Sequence, residues 1–259
     1  MLSTTNNKDL YSGVEFSTWL DLQELLSAEK QLIKTYLKPD LATVEAGTNG
    51  GRILLNMQAL GFKNLAGFDY VPELIDRAIE RNPDRSIDFQ VQDAVGLDYS
   101  DASFDQIIYL QQIICLIENQ QDRLKAVQES YRILKPGGIG LFSFLSFESR
   151  SSKLIYSIYL TYIRLIRKLR RDERSSQDLP WLMLGGKFNF GAILDRAPYT
   201  YWYRVSEAYD LLKSAGFEIL SLGSEEQIST DDMTTTDRQL LSKKVSGMLY
   251  IVVRKSGNN

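Results

Sequence analysis

Between residues 40 and 147 the sequence alternates short apolar stretches with stretches of helical periodicity. The strand-like stretches are LATVEAG, NLAGFDY, IDFQVQDA, SFDQIIYLQQ and IGLFSFLSF, and helical patterns separate all of them except the third and the fourth. Strands that are joined through a helix run parallel, because the helix returns the chain to the same edge of the sheet. The alternation therefore predicts an α/β protein with a doubly wound, Rossmann-like sheet.

Two C-terminal segments extend this sheet. SEAYDLLKSAGFEILSLGSEE has a helical pattern, a glycine stop and a strand pattern, and SGMLYIVVRK is a last strand that we expect to be antiparallel. The prediction is a seven-stranded, mostly parallel sheet with an antiparallel last strand and a helical lid insertion. We divide the chain into three regions: an N-terminal helical cap (1–38), a Rossmann-like core (39–147 and 204–259) and a helical, aromatic-rich substrate lid (148–203).

The composition excludes several kinds of site. Histidine is absent and the chain has a single cysteine, Cys115, so we expect neither a Ser-His-Asp triad nor a metal site. Cys115 lies in the apolar run IICLI and is expected to be a buried, small hydrophobic residue. The formal net charge of −3 argues against general nucleic-acid binding. No apolar signal core begins the chain and no apolar stretch is long enough for a transmembrane segment, so we expect a cytoplasmic protein.

The turn after the first strand reads VEAGTNGGR, residues 44–52. A dinucleotide fingerprint needs Gly-x-Gly-x-x-Gly, so that backbone amides can approach a pyrophosphate. Counted from Gly47, the second and third of these glycines are replaced by Asn49 and Arg52. A Walker loop fails as well, because no Gly-Lys-Ser/Thr follows. The turn therefore disfavours a nicotinamide reductase and favours a ligand without a pyrophosphate.

Five motifs in sequence order resemble those of the class I S-adenosylmethionine-dependent methyltransferases. VEAGTNGGR is similar to the family's first motif, VLDLGCGTGR, and GFDY ends the second strand with an acid, Asp69. QDA, SFDQIIYLQQ and RILKPGGIGLFSF resemble the third-strand, fourth-strand and helix-turn-strand motifs, so the match covers residues 40–145. The resemblance implies a methyltransferase with S-adenosylmethionine as cofactor and S-adenosylhomocysteine as product.

The resemblance also implies which residues bind the cofactor. Asp69 would hold the ribose hydroxyls and Asp93 would lie by the adenine, although an aspartate can equally accept a hydrogen bond within its own turn. Asn49 replaces a glycine of the family, and we interpret it as a conformational substitute because Asn tolerates the left-handed region. The predicted cofactor-binding residues are Glu45, Gly47, Asn49, Gly51, Asp69, Tyr70, Asp93, Ala94 and Gln111.

The predicted substrate side lies mainly after the fifth strand. Apolar residues at helical spacing in 153–171 predict a helix docked on the core with a solvated basic face. The alternative is a lid over a lipophilic or anionic substrate, or a peripheral contact with a membrane or partner. The aromatic run APYTYWYR suits a pocket for an apolar or planar molecule, or part of the core. The predicted substrate-binding residues are Tyr11, Gln112, Tyr199, Tyr201 and Trp202.

The leading hypothesis is a methyltransferase for a small, apolar or anionic molecule of secondary metabolism, acting by O- or N-methyl transfer. The sulfonium already makes the methyl group electrophilic, so the protein mainly aligns the acceptor for in-line displacement. The sequence singles out no catalytic base, so the catalytic residues stay unknown. The alternative is a non-catalytic protein that keeps this fold to bind the cofactor or a partner. The two hypotheses differ in whether any acceptor is methylated.

Overall fold

The computed structural model describes residues 23–184 and 186–257, and a seven-stranded sheet forms its centre. Five strands precede the insertion and two follow it: β1 (Thr43–Ala46), β2 (Leu65–Asp69), β3 (Ile87–Val91), β4 (Phe104–Tyr109), β5 (Leu134–Leu145), β10 (Phe217–Ser224) and β11 (Met248–Lys255). Four short strands belong to the insertion: β6 (Asp178–Pro180), β7 (Met183–Leu184), β8 (Lys187–Phe188) and β9 (Tyr199–Tyr201).

The sheet has the predicted doubly wound topology. Its strand order is β10-β11-β5-β4-β1-β2-β3, so the chain runs outward from β1 in one direction and from β4 in the other. β1 pairs in parallel with β2 and β4, and β4 pairs in parallel with β5. β11 lies between β5 and β10 and is antiparallel to both. The seven-stranded, Rossmann-like sheet with its antiparallel last strand is thus confirmed.

Helices cover both faces of this sheet. They are α1 (Ser27–Tyr36), α2 (Arg52–Ala59), α3 (Pro72–Glu80), α4 (Ile113–Leu116), α5 (Gln120–Ile133), α6 (Phe147–Ser151), α7 (Leu154–Arg170), α8 (Val205–Ser214), α9 (Glu225–Ser229) and α10 (Asp237–Leu241). Because strand side chains alternate between faces, adjacent residues enter different cores. Ile107 packs with Val127 of α5 and Ala208 of α8, whereas Ile108 packs with residues of α1, α2 and α3 such as Leu54.

Two connections differ in detail from simple strand-helix alternation. Residues 92–103 form turns and an isolated bridge, in agreement with the short polar segment that predicts no full crossover helix there. The Pro-Gly-Gly segment at 136–138 was expected to separate helix from strand, but β5 already begins at Leu134. The pairing with β4 shifts across this segment, from Leu134 opposite Phe104 to Ile139 opposite Gln106. The extra residues bulge out of the ladder, which lets the strand start early.

The insertion after β5 is held together at its base and by a buried ion pair. At the base, the Phe147 N–H donates to the Tyr203 carbonyl at 2.8 Å. Inside the insertion, Arg167 of α7 donates to both carboxylate oxygens of Asp195 at 2.6 and 2.7 Å. Both side chains are buried, so the pair ties α7 to the chain that follows the 3-10 helix Phe190–Leu194.

Helix α7 does not dock through the apolar face that its sequence suggests. Its buried residues are Leu160, Ile163 and Arg167. The other apolar positions of the helix are mostly exposed, among them Leu154, Ile158, Leu165 and Leu169. The prediction that the apolar residues at helical spacing in 153–171 dock this helix is therefore wrong for these positions. The physical reason is that Arg167 completes the inward face, where Asp195 neutralises its charge.

Of the helical cap expected over 1–38, residues 1–22 lie outside the described residues, residues 23–26 are not helical, and Ser27–Tyr36 form α1. Tyr11 of the predicted substrate set and Gly185 lie outside the described residues. Within the ranges given above, every helix is too short or too polar to cross a bilayer.

Candidate functional site

A cavity of about 390 Å³ opens at the carboxyl ends of β1, β2 and β4, where the strand order reverses. Open α/β sheets bind ligands at this switch point, and small-molecule sites have volumes of roughly 300–1,000 Å³. Eight of the nine predicted cofactor residues line it: Glu45, Gly47, Asn49, Asp69, Tyr70, Asp93, Ala94 and Gln111. The structure thus brings together residues from four strand ends that are up to 66 positions apart in sequence.

Gly47 and Gly51 shape the turn between β1 and α2 in different ways. Both have positive φ, 60° and 77°, which a residue with a Cβ rarely adopts. A Cβ on Gly47 would lie 2.2 Å from Ile113 Cδ1, so the glycine keeps the cavity wall open. A Cβ on Gly51 would instead meet Phe89 Cζ at 2.9 Å. Gly51 therefore serves the packing of α2 and is the one predicted cofactor residue that the structure places away from the cavity.

Asn49 adopts the left-handed conformation that its position predicts. Its φ is 53°, and its side-chain Oδ1 accepts a hydrogen bond from the Gly50 N–H at 2.8 Å. Its own N–H donates to Asp69 Oδ2 at 3.0 Å. Asn49 is thus a conformational substitute for the glycine of the family, because it tolerates this φ and its side chain also holds the next amide.

Asp69 ends β2 and is buried, with 5% of its surface exposed. Besides the Asn49 amide, it accepts a hydrogen bond from the Val71 N–H at Oδ1, at 3.1 Å. Burial raises the pKa of its carboxyl to about 6, and the backbone hydrogen bonds offset part of this effect. Asp69 is therefore mainly ionised at neutral pH. A carboxylate accepts about four hydrogen bonds, so it retains capacity for ligand hydroxyls.

Glu45 is also buried, and burial raises the pKa of its carboxyl further than it raises the pKa of Asp69. Thr48 Oγ1 donates to its Oε2 at 2.8 Å. Burial raises the pKa of the Glu45 carboxyl to about 8, which the Thr48 hydrogen bond and the Arg52 charge only partly offset. Glu45 is therefore mostly protonated at pH 7 without a ligand, and a cationic ligand group would favour its ionised form.

A buried ion pair ties α1 to the glycine turn. Arg52, the first residue of α2, donates to both carboxylate oxygens of Glu29 at 2.7 Å. Gln111 Nε2 donates to Glu29 Oε1 at 2.5 Å, and Arg52 also donates to the Glu24 carbonyl at 2.8 Å. The network joins α1, the glycine turn and the end of β4 into one unit. The positive charge of Arg52 is neutralised by Glu29 in this unit.

The chain leaves β4 through a strained turn that builds an apolar wall. Gln111 and Gln112 have φ values of 55° and 60°, and such left-handed residues cost about 1–2 kcal/mol each. The short helix α4 follows, with one face towards the cavity and the other towards the core. Ile113 and Leu116, three residues apart, line the cavity, whereas Cys115 is fully buried in the core, as expected. Strain of this kind clusters at functional sites, where the surrounding structure maintains it.

Asp93 and Ala94 lie at the rim of the cavity, after β3. Asp93 Oδ1 accepts a hydrogen bond from the Val95 N–H at 3.1 Å, so its side chain supports its own turn. Asp93 can therefore support its own turn and also bind a ligand, because an exposed carboxylate has further lone pairs.

The structure places four predicted substrate residues away from the cavity: Gln112, Tyr199, Tyr201 and Trp202. Tyr201 is buried, and the Arg123 guanidinium lies 3.9 Å from its ring centroid. Trp202 packs under the Arg150 guanidinium at 4.2 Å, and the Tyr199 hydroxyl donates to a backbone carbonyl at 2.6 Å. These aromatic side chains therefore support the base of the insertion in the structure.

The insertion approaches the cavity at Trp181, which no sequence motif indicates. Trp181 packs against the buried pair Val71 and Leu74, in a cluster that also contains Tyr70 and Leu116. Three members of this cluster, Leu74, Tyr70 and Leu116, line the cavity as well. Trp181 thus brings the insertion against one wall of the site.

Sequence reasoning also missed the wall after β4. Ile113, Leu116 and Ile117 line the cavity, followed by Glu118 before α5 and Asp122 in its first turn. The run IICLI suggests a buried segment as a whole. Its three- and four-residue spacings were the available signal that part of it faces a site.

Comparisons with known proteins agree with this fold. Residues 44–142 match the family described as a methyltransferase domain. No curated protein matches the sequence. Among solved structures, an S-adenosylmethionine-dependent methyltransferase from Methanosarcina mazei has a TM-score of 0.67 and 18% identity, covering 91% of this chain and 100% of that one.

Two other similar structures carry different descriptions. The methyltransferase in complex with the Trm112 activator of Haloferax volcanii has a TM-score of 0.61 at 15% identity, covering 97% of this chain and 98% of that one. The cyclase SpnF has a TM-score of 0.60 at 15% identity, covering 96% and 94%. At such identities the likeness establishes the fold, and the substrate has to be argued from the site.

Replacing Glu45 by Gln is expected to stabilise the protein at alkaline pH. The folded pKa of about 8 exceeds the ordinary value of 4.5, so wild-type stability falls as pH rises between these values. The variant has no carboxyl to ionise at this position. Its thermal unfolding temperature should therefore exceed that of the wild type at about pH 8, and the difference should be smaller at about pH 5. Thermal unfolding without cofactor measures this, with Glu80→Gln on the surface of α3 as control. A difference independent of pH would contradict it.

Replacing Asn49 by Gly is expected to change the affinity for S-adenosylhomocysteine by less than about threefold. The φ of Asn49 is 53°, and both asparagine and glycine tolerate this conformation. Asn49→Val should weaken binding about tenfold, since a β-branched residue is strained by about 1–2 kcal/mol there. Calorimetric titration measures both. A large gain in affinity for Asn49→Gly would mean that Asn49 impairs the site.

Proposed function

We propose that this protein is an S-adenosylmethionine-dependent methyltransferase that acts on a small molecule, because residues 44–142 match a methyltransferase domain and the fold is that of such enzymes. The observation that carries the proposal is a cavity that combines buried carboxyl groups with an apolar wall. Glu45 and Asp69 lie among its polar lining, and Ile113, Leu116 and Ile117 among its apolar lining. Such a site suits a polar nucleoside cofactor next to a partly apolar acceptor.

The residues present fit this cofactor. Asp69 is an ionised, buried acceptor that keeps lone-pair capacity for the ribose, and Asp93 and Ala94 lie at the rim where the adenine would bind. Gly47 leaves room against Ile113 that any side chain would fill. We assign the methionine end to the region of Glu45, because an ammonium group there would stabilise the carboxylate that burial disfavours.

Proximity is the main catalytic contribution that we assign to the protein. The bound cofactor supplies a sulfonium whose methyl group is already electrophilic. The chain's own residues hold the cofactor, exclude water and align the acceptor for in-line displacement. Alignment of this kind can remove a large part of the activation barrier. The absence of histidine from the chain agrees with an acceptor that needs no imidazole base.

The charges of the lining favour an amine over an anionic acceptor. Besides Glu45, which is mostly protonated at pH 7 without a ligand, four acidic side chains line the cavity: Asp69, Asp93, Glu118 and Asp122. Two arginines do so, of which Arg52 is neutralised by Glu29. A carboxylate or phenolate would therefore be repelled, whereas an apolar molecule with a basic nitrogen would be attracted. We propose N-methylation of such a molecule: its nitrogen gives its proton to solvent or to a lining carboxylate, the neutral nitrogen then accepts the methyl group, and the apolar wall holds the body of the molecule.

We further propose that the insertion at 148–203 acts as the substrate lid, beside the core at 39–147 and 204–259 and the cap at 1–38. Trp181 supports this, because it packs against side chains that line the cavity. Secondary metabolism and a cytoplasmic location stay predictions from the sequence.

Asp69→Asn tests the cofactor site. The variant loses a charge-assisted acceptor, so its affinity for S-adenosylmethionine should fall about tenfold to a hundredfold. Because the wild-type carboxyl has a pKa of about 6, its affinity should decrease as pH falls below that value, whereas the variant's should not. Calorimetric titration at several pH values measures both, with exposed Asp76→Asn on α3 as control. An unchanged affinity in Asp69→Asn would refute the assignment.

A second experiment tests the reaction. The protein is incubated with methyl-labelled S-adenosylmethionine and a set of apolar amines, carboxylates and phenols, and the Asp69→Asn variant serves as control. Labelled amines that appear only with the wild type would support the proposal. Cofactor binding without any labelled product would favour the non-catalytic alternative.

A further inference from the structure

Helix α7 has two apolar faces, and one of them is exposed. The outward residues are between 39% and 79% exposed: Leu154, Ile155, Ile158, Tyr162, Leu165 and Leu169. At 100° per residue they occupy an arc of about 100°, opposite the face that contains the buried Leu160 and Ile163. The outward face of a helix on a globular protein is ordinarily polar, so this stripe indicates a contact surface.

The apolar surface continues onto the adjacent 3-10 helix, residues 190–194. The Tyr162 hydroxyl donates to the Ile193 carbonyl at 3.0 Å, and Arg170 Nη1 donates to the Leu194 carbonyl at 2.8 Å. Phe190 is 75% exposed and its ring packs edge-on against Phe188 at 5.2 Å. We call the outward residues of α7 together with residues 188–194 the apolar platform.

Positive charge is concentrated around this platform. Residues 149–196 contain ten Lys and Arg against four Asp and Glu, in a chain with a formal net charge of −3. Helix α7 itself contains no acidic residue, and its exposed Arg164 and Lys168 lie on the flank next to the stripe. Arg150 is buried and Arg167 and Asp195 neutralise each other, which leaves eight exposed Lys and Arg against three acids. The platform is therefore apolar in the middle and basic at its edge.

We propose that the apolar platform docks on an anionic lipid membrane. An amphipathic helix of this composition lies in the interface plane, with its apolar side chains among the acyl chains and its basic side chains on the phosphates. Each basic residue near an anionic surface strengthens binding by about fivefold, and the effect is screened by salt. The docking is peripheral and independent of the methyl-transfer proposal.

A second copy of the chain is a poorer occupant. A symmetric contact between two platforms would use the same patch on both copies. The basic flanks around Arg164 and Lys168 would then meet each other, and the acidic groups needed to neutralise them are lacking on α7. An anionic bilayer supplies the complementary charge along the whole helix.

Vesicle sedimentation of the full chain tests the docking. Phosphatidylcholine vesicles are compared with phosphatidylcholine–phosphatidylglycerol vesicles at low and high salt. We expect binding to the anionic vesicles that is at least tenfold stronger than to the neutral ones and that weakens as salt is raised. Absence of binding to the anionic vesicles, or equal binding to both kinds, would overturn the proposal.

Matched variants identify the surface. Leu165→Glu should reduce partition onto anionic vesicles at least tenfold, because an apolar side chain that enters the bilayer becomes charged. Leu241→Glu, at a similarly exposed leucine of α10 (44% against 57%), should not. Arg164→Gln combined with Lys168→Gln should weaken binding by more than Lys30→Gln combined with Lys34→Gln on α1.

Two readouts separate the other outcomes. Cofactor binding by each variant, measured by calorimetry, should equal that of the wild type, which shows that the variants are folded and that the core site is untouched. Light scattering reports the oligomeric state. If Leu165→Glu converts an oligomer into a monomer and leaves vesicle binding unchanged, the platform binds a second copy and the membrane proposal is wrong.

Discussion

The site depends on one buried carboxylate, that of Asp69. It accepts hydrogen bonds from the Asn49 N–H of the glycine turn and from the Val71 N–H just before α3. Asp69 therefore joins the end of β2 to the glycine turn and to the start of α3. Burying a charge is unfavourable, and the raised pKa of Asp69 indicates that its backbone hydrogen bonds do not compensate fully. Glu45 shows the same imbalance more strongly. Unfavourable charges of this kind are typical of sites where a ligand provides the missing partners.

The sheet and much of the cavity lining could be predicted because they depend on local patterns. The alternation of strands and helices fixes parallel pairing, and parallel strands bring their carboxyl ends to one edge. Asn49, Asp69 and Gln111 therefore meet although they are far apart in sequence. The pair Arg52–Glu29 could not be predicted, because it depends on how α1 lies across the glycine turn. Such long-range contacts leave no mark in local periodicity.

The less accurate predictions concern segments with two apolar faces. IICLI suggests a core segment, but it sends Ile113 and Leu116 to the cavity and Cys115 to the core. In α7 the apolar stripe is exposed, and the inward face includes the charged Arg167. Periodicity shows that a helix has faces. It does not show which face is covered, because that depends on partners such as Asp195 and Trp181 elsewhere in the chain.

We propose above that the cavity at the ends of β1, β2 and β4 holds the cofactor through its carboxylates. A crystal structure of the full chain with S-adenosylhomocysteine measures this directly. We expect the ribose hydroxyls within hydrogen-bond distance of Asp69 and the amino acid end near Glu45 and Gly47. A nucleoside bound outside this cavity, or in it without contact to Asp69, would show that the carboxylates do not hold the cofactor.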